Sequence, residues 1–222
     1  MKKSKLIIFL IIVILIVSIL FLVFSKKTVK VFKNGKTKTS QEIVDYILNI
    51  SSYNLKVTVE VISNKSNNKY ILNQEYEAPN ISKQEVIEPS NIAGIKITKD
   101  GSNLKLENSK LNLNTIFENY NYLGDNCLDL ICFIENYKTY AESEFIEEDG
   151  QIIMKTRSGN ENKYIKNKIL YIDKETYKPT KLEIKDNNEK TTVYILYNEV
   201  EISSTNKDDI VAFENSTLRT NI

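Results

Sequence analysis

Tyr53-Asn54-Leu55-Lys56-Val57-Thr58-Val59-Glu60-Val61 alternates apolar and polar side chains without a break. A period of two places Tyr53, Leu55, Val57, Val59 and Val61 on one face of an extended chain, so this stretch predicts a half-buried strand. The segments around it read in the same terms. Upstream, Thr39-Ser40-Gln41-Glu42 fits a capping box, in which the Thr39 hydroxyl and the Glu42 carboxylate satisfy opposing orphan amides. Ile43, Tyr46, Ile47 and Ile50 then fall at helical spacing, which predicts a helix with one apolar stripe.

Downstream, Asn64 to Asn68 is a turn cluster, and Lys69 to Glu77 resumes as a strand with Tyr70, Leu72 and Tyr76 on one face. Pro79-Asn80 ends it, and Ile81 to Glu88 is a third strand stopped by Pro89. Ile92 to Thr98, Asp100-Gly101, and Leu104 with Leu106 read as a hairpin, the Asp-Gly pair supplying its turn. From Asn114 to Tyr140 the strand pattern is interrupted. Asp125 is an expected N-cap there, and Cys127 to Tyr137 carries Leu128, Leu130, Ile131, Phe133 and Ile134, a helix greasy enough to want cover on two sides. Cys127 and Cys132 are too far apart on one helix to bridge and read as buried thiols. Strands return at Glu142 to Glu147, Gln151 to Arg157, Tyr164 to Asp173, Pro179 to Asp186 and Thr191 to Ile202. Loose alternation in the last of these predicts a bulge or burial on both faces. A short helix is expected at Asp208 to Glu214. There is no βαβ rhythm, so the expected class is α+β, mainly β, built from an antiparallel sheet.

The chain has 222 residues, with no His and no Trp. That removes imidazole general bases, Ser-His-Asp and Cys-His nucleophiles, and zinc sites that need imidazole. Glycines occur singly, so there is no phosphate-cradling loop. The pairs Glu142/Glu144 and Glu147/Glu148 could serve glycoside hydrolysis, yet beside a hairpin turn they read as solvated charge. The Glu147-Glu148-Asp149 cluster lacks the alternating oxygen ligands of a calcium loop. No catalytic residue, cofactor or metal is expected. The tyrosine-rich strand faces read as core.

Charge is segregated. Nine of the 30 basic residues precede the first acid, Glu42, which leaves 21 against 29 acids, a net of −8 from Thr39 onward. A surface of that sign repels phosphate backbones, so nucleic acid is not an expected partner. Leu6 to Phe24 is apolar throughout except for Ser18. As a helix it would be roughly 28 Å long, close to the ~30 Å hydrocarbon core of a bilayer. Bulky residues from Leu20 to Phe24 stand where a signal-peptidase site wants small ones, and no Cys stands just after the apolar run, the first being Cys127. The expectation is therefore a short tail (1–5), a single-pass signal-anchor (6–24), a basic tether (25–38) and a folded domain (39–222). Lysine counts would leave that domain in the cytoplasm, whereas a short basic tail ahead of a first apolar helix is also the charged start of an export signal, so charge leaves the orientation open.

Leu170 to Thr176, Pro179 to Ile184, Asp186 to Asn188 and Val193 to Ile202 form a strand–turn–strand–turn–strand pattern. It resembles the closing hairpins of the lipoprotein-carrier (LolA-like) superfamily. Tyr70 to Tyr76, Pro79, Glu85, Pro89 and the Phe117 to Tyr137 insertion look more narrowly like the clostridial germination lipoprotein GerS group, and the likeness spans Gln41 to Ile202. The resemblance implies an open antiparallel half-barrel covered by two or three helices, and an extracytoplasmic domain on a bacterial cell membrane. It also implies a non-enzymatic binding protein that supports a cortex N-acetylmuramoyl-L-alanine amidase of the CwlD type in spore cortex modification and germination. The lipidated Cys of that group is missing, so a GerS-related protein is expected. The alternative is a carrier or sensor that holds a lipid acyl chain in the concave face. Phe117, Tyr120, Tyr122, Leu128, Ile131 and Phe133 are the candidate partner or ligand surface, because aromatics favour interfaces. An unclosed sheet also leaves edges that could pair two copies into a homodimer.

Overall fold

The computed structural model describes residues 38–63, 66–120 and 128–205. Helix α1 (Ser40–Leu48) opens the described chain and leads into strand β1 (Ile50–Ile62). Its start is the capping box read from the sequence. Glu42 N donates to Thr39 Oγ1 at 3.2 Å, and Thr39 N donates to Glu42 Oε2 at 2.6 Å.

From β1 the chain meanders outward through β2 (Asn67–Glu77), β3 (Ile81–Glu88), β4 (Lys96–Asp100), β5 (Asn103–Asn108) and β6 (Leu113–Phe117). Helix α2 (Leu130–Thr139) follows. The chain then returns through β7 (Glu144–Glu148), β8 (Gln151–Asn162), β9 (Ile165–Asp173), β10 (Pro179–Lys185) and β11 (Thr191–Ser204). The strands form one sheet in the order β6-β5-β4-β3-β2-β1-β11-β10-β9-β8-β7, and each neighbouring pair is antiparallel. Two meanders thus meet at β1 and β11, leaving β6 and β7 as the edges.

Local chemistry sets the turns. Glu148 pairs with Gln151, so Asp149-Gly150 forms a two-residue loop, and both residues have positive φ, 49° and 75°. That is the backbone a tight hairpin needs to match strand twist, and Asp-Gly adopts it at low cost. The expected irregularity of the last strand is a bulge. Lys56 pairs with Glu199 and Val57 with Tyr197, so Asn198 is skipped, and its Nδ2 donates to Thr58 Oγ1 at 2.8 Å. The extra residue explains the loose alternation, because Val193, Ile195 and Tyr197 are followed inward by Val200 and not by residue 199.

One face of the sheet carries both helices. Ile43, Val44 and Ile47 of α1, and Leu130, Phe133 and Ile134 of α2, are at most 2 % exposed. They pack with Val57, Val59, Ile152, Met154, Leu170, Ile172, Leu182, Ile184 and Ile195 from the strands. Burying each such side chain contributes about 1.5–3 kcal/mol, so the helices are fixed by packing and not by propensity. The opposite face carries ion pairs such as Lys56–Glu199, Lys83–Glu75 and Lys96–Glu85.

Three expectations need correction. The helix expected at Cys127–Tyr137 is Leu130–Thr139, with N-cap Asp129; Asp125 and Cys127 lie outside the described residues. Strand β6 lies inside what read as an interruption. Among the described residues the fold class is an open, antiparallel β-sheet with two short helices, and not the half-barrel with a transmembrane helix that was expected. Among the described residues no helix is long and apolar enough to cross a membrane. Helices α1 and α2 have 9 and 10 residues, about 14–15 Å at 1.5 Å per residue, or half of a bilayer core. The anchor expected at Leu6–Phe24, and the short helix expected at Asp208–Glu214, lie outside the described residues. The transmembrane, signal-anchor and single-pass membrane localisation assigned from that anchor are withdrawn with it.

Candidate functional site

Directly paired residues of neighbouring strands present their side chains on the same face. Pairing places Tyr53 (β1), Tyr76 (β2), Ser82 (β3), Lys99 (β4), Leu104 (β5) and Phe117 (β6) in one cross-strand row on the helix-bearing face. Burial falls along that row. Tyr53 is 2 % exposed and stacks on Tyr76 with ring centroids 5.3 Å apart, whereas Phe117, at the edge, is 44 % exposed. The Phe117 ring meets Tyr120 at 6.2 Å, a tilted pair at the end of the edge strand. Ile116, on the opposite face of the same strand, is 59 % exposed. Two large apolar side chains thus flank an edge whose outer hydrogen-bonding groups pair with no strand among the described residues.

The other expected surface residues separate into distinct settings. Phe133 is wholly buried in the core. Leu128 and Ile131 are partly buried and pack against it. Tyr122 lies outside the described residues. The structure brings exposed Phe117 and half-buried Tyr120 together as one unit and assigns Leu128, Ile131 and Phe133 to the seating of α2.

Beneath the start of α2 sits a polar cluster that the sequence reading missed. Asp129, the N-cap of α2, is 3 % exposed and accepts a hydrogen bond from the Tyr53 hydroxyl. Burial pushes its carboxyl above the usual carboxylate range, opposed by hydrogen bonds from the Tyr53 and Ser82 hydroxyls. The same burial, with the Asp129 charge beside it, raises the Tyr53 phenol well above its ordinary value. Gln74 Nε2 donates to the Leu128 carbonyl at 2.7 Å, so β2 grips the same turn. A readable signal existed: Gln74 lies between Leu72 and Tyr76 on the inward phase of β2, where a polar side chain must find a partner.

A second buried polar contact holds the middle of α2. Lys168 of β9 is fully buried and donates to Asn136 Oδ1 at 2.8 Å, with Cys132 Sγ 3.6 Å from its Nζ. The acid pairs weighed as catalysts are tied up on the surface. Glu142 pairs with Arg157 at 3.1 Å, Glu144 with Lys155 at 3.8 Å, and Glu147 with Lys174 and Ser40. Among the described residues no group of three or more His, Cys, Asp or Glu side chains is placed to hold a metal.

The described molecule is a rigid antiparallel sheet with its own helices seated on one face and an aromatic unit at one edge. Residues 3–210 match the family model described as sporulation protein YdcC-like, and the chain belongs to that family. No curated protein matches the chain in sequence. Among solved structures, an uncharacterised conserved protein from Thermus thermophilus is similar at 11 % identity and a TM-score of 0.48, over 78 % of this chain and 92 % of that one. A chain in the complex of the CwlD amidase with the GerS lipoprotein from Clostridioides difficile is similar at 25 % identity and a TM-score of 0.43, over 78 % of this chain and 98 % of that one. A LolA superfamily protein from Nitrosomonas europaea is similar at 10 % identity and a TM-score of 0.40, over 77 % of this chain and 96 % of that one. The family assignment rests on the family model.

Proposed function

We propose that this chain is a non-enzymatic binding protein of sporulation that supports a cortex N-acetylmuramoyl-L-alanine amidase of the CwlD type, in a GerS-like manner, in spore cortex modification and germination. The observation that carries the reading is the Phe117–Tyr120 unit at edge β6, in which exposed Phe117 packs on half-buried Tyr120 at the rim of a sheet whose core is already filled. Membership of a sporulation family supports the setting, and the sequence resemblance supplies the partner class. Aromatic side chains at the centre of an interface commonly carry about 2 kcal/mol or more each. The test is titration calorimetry of the full chain against a purified CwlD-type amidase. Replacing Phe117 and Tyr120 together by Ala is expected to weaken binding at least about 30-fold while leaving the fold intact. Unmeasurable binding by the unaltered chain refutes the reading.

A second reading, a lipid carrier, is favoured by Ile97, Leu104 and Leu106, half-buried on the outer strands β4 and β5. Against it, Ile43, Ile47, Leu130 and Phe133 of the chain's own helices fill the centre of that face. Mass spectrometry of organic extracts decides between the readings, since a stoichiometric lipid belongs only to the carrier.

A further inference from the structure

We propose that the polar ground under residues 128–129 encloses an internal hydration site, in which at least one ordered water binds Gln74 Oε1, Gln84 Nε2 and Tyr197 Oη. These three atoms are buried and have no hydrogen-bond partner among the described residues. Their side chains are no more than 1 %, 8 % and 9 % exposed, in that order. A buried polar atom left unsatisfied costs about 1–3 kcal/mol, so three in one small domain call for a physical partner.

The three side chains stand on neighbouring rows of the helix-bearing face. Gln74 and Gln84 are directly paired across β2 and β3, so both amides stand on the helix-bearing face. The Gln74 amide is oriented by its Nε2, which donates to the Leu128 carbonyl at 2.7 Å and leaves Oε1 as an acceptor without a donor. Ser82, two residues before Gln84 and on the same face of β3, joins Tyr53 in hydrogen bonding to the Asp129 carboxylate. Tyr197 enters from β11 on the same face, paired with Val57, two residues along β1 from Leu55, the cross-strand partner of Gln74.

The unmet groups also select the ligand. Gln74 Oε1 needs a donor, Gln84 Nε2 needs an acceptor, and the Tyr197 hydroxyl can serve as either. An anion offers nothing to Oε1, and a cation offers nothing to Nε2. Water supplies two donors and two acceptors, which matches the set. Globular proteins hold on the order of one buried water per ~27 residues, typically with about three hydrogen bonds to otherwise unsatisfied groups. The start of α2 is therefore joined to β2, β3 and β11 through a hydrated polar seam, beside the apolar packing of Phe133 and Ile134.

Two measurements on the full chain test the site. A high-resolution crystal structure is expected to show a density peak about 2.6–3.2 Å from Gln74 Oε1 and from at least one of Gln84 Nε2 and Tyr197 Oη. Urea unfolding of Tyr197→Phe and Gln84→Met is expected to show the folding equilibrium constant lowered about three- to tenfold, because each substitution removes a water partner. A direct Gln74–Gln84 amide hydrogen bond with no water peak overturns the proposal. So does a rise in the folding constant of Tyr197→Phe, which is the response of a dry site relieved of an orphaned hydroxyl.

Discussion

Replacing Asp129 by Asn should remove a specific component of the pH dependence of stability. Asp129 is 3 % exposed, and burial raises its carboxyl above the ordinary value of 3.8. The folded state therefore holds this proton to a higher pH than the unfolded state does. Between 3.8 and the raised folded value, the native chain carries one more proton than the unfolded chain at this position. The derivative of unfolding free energy with pH follows protons bound in the unfolded state minus protons bound in the native state, so it is negative here. The contribution is fully present at low pH and is lost as pH rises through the folded value. One proton sets a ceiling of about 1.4 kcal/mol per pH unit. Glu147, held low by Lys174 and Ser40, and Asp173, held low by Thr176, change stability in the opposite sense, but they are common to both proteins. Asn keeps the side-chain volume and an oxygen to accept from Tyr53. The assay is urea unfolding of both proteins in steps from about pH 3 to pH 7, reported as wild type minus Asp129→Asn. The difference should fall with pH across one continuous window. A flat difference curve, or one that rises with pH, refutes the assignment of Asp129 as a buried carboxyl with a raised pKa.

Two further substitutions probe the seating of α2. Phe133→Ala deletes a wholly buried ring between the helix and the sheet and should cost about 3–5 kcal/mol in chemical denaturation; a loss below about 1 kcal/mol would contradict the packing described. Gly159→Ala would place a Cβ 3.0 Å from Asn136 Nδ2, on the side chain whose Oδ1 accepts from Lys168 at 2.8 Å. It should destabilise by about 1 kcal/mol in thermal unfolding, because the amide cannot retreat without loosening its hold on a buried ammonium; an unchanged melting temperature counts against that contact.

Much of the sheet was legible because one of its faces is buried. Alternation from Tyr53 to Val61 fixes both the strand and the inward phase of its side chains, and the Thr39–Glu42 box and Asp149-Gly150 carry their own local geometry. Strand β6 was hidden because Leu113, Asn114, Thr115, Ile116 and Phe117 do not divide into an apolar and a polar face: Ile116 and Phe117 are both exposed, on opposite faces. The start of α2 was placed early because Asp125 offered an earlier N-cap, whereas the N-cap that the helix uses, Asp129, is buried against Tyr53. Gln74, Gln84 and Lys168 escaped for one shared reason. Each stands on the inward phase of an apolar strand, and a reading that scores apolar residues passes over the polar exceptions, although burial makes those exceptions the informative positions.

The two edges of the sheet explain how an unclosed sheet can be selective about contact. Strand β7 presents Glu144, Glu147 and Glu148 within five residues, the first two paired with Lys155 and Lys174, so charged side chains crowd this edge and disfavour strand addition. Strand β6 carries no charge from Leu113 to Phe117. Its two neighbours along the chain, Asn112 and Glu118, bring only one acid. One edge is therefore guarded electrostatically, while the other is guarded by nothing in its own sequence. The helices seat against β8 at the far end of the sheet order, so the packing that stabilises the fold draws on the guarded half. On the proposed function, stability and contact are then borne by different residues. On that same reading, a substitution at Phe117 weakens partner binding without unfolding the chain, whereas one at Phe133 acts on stability first.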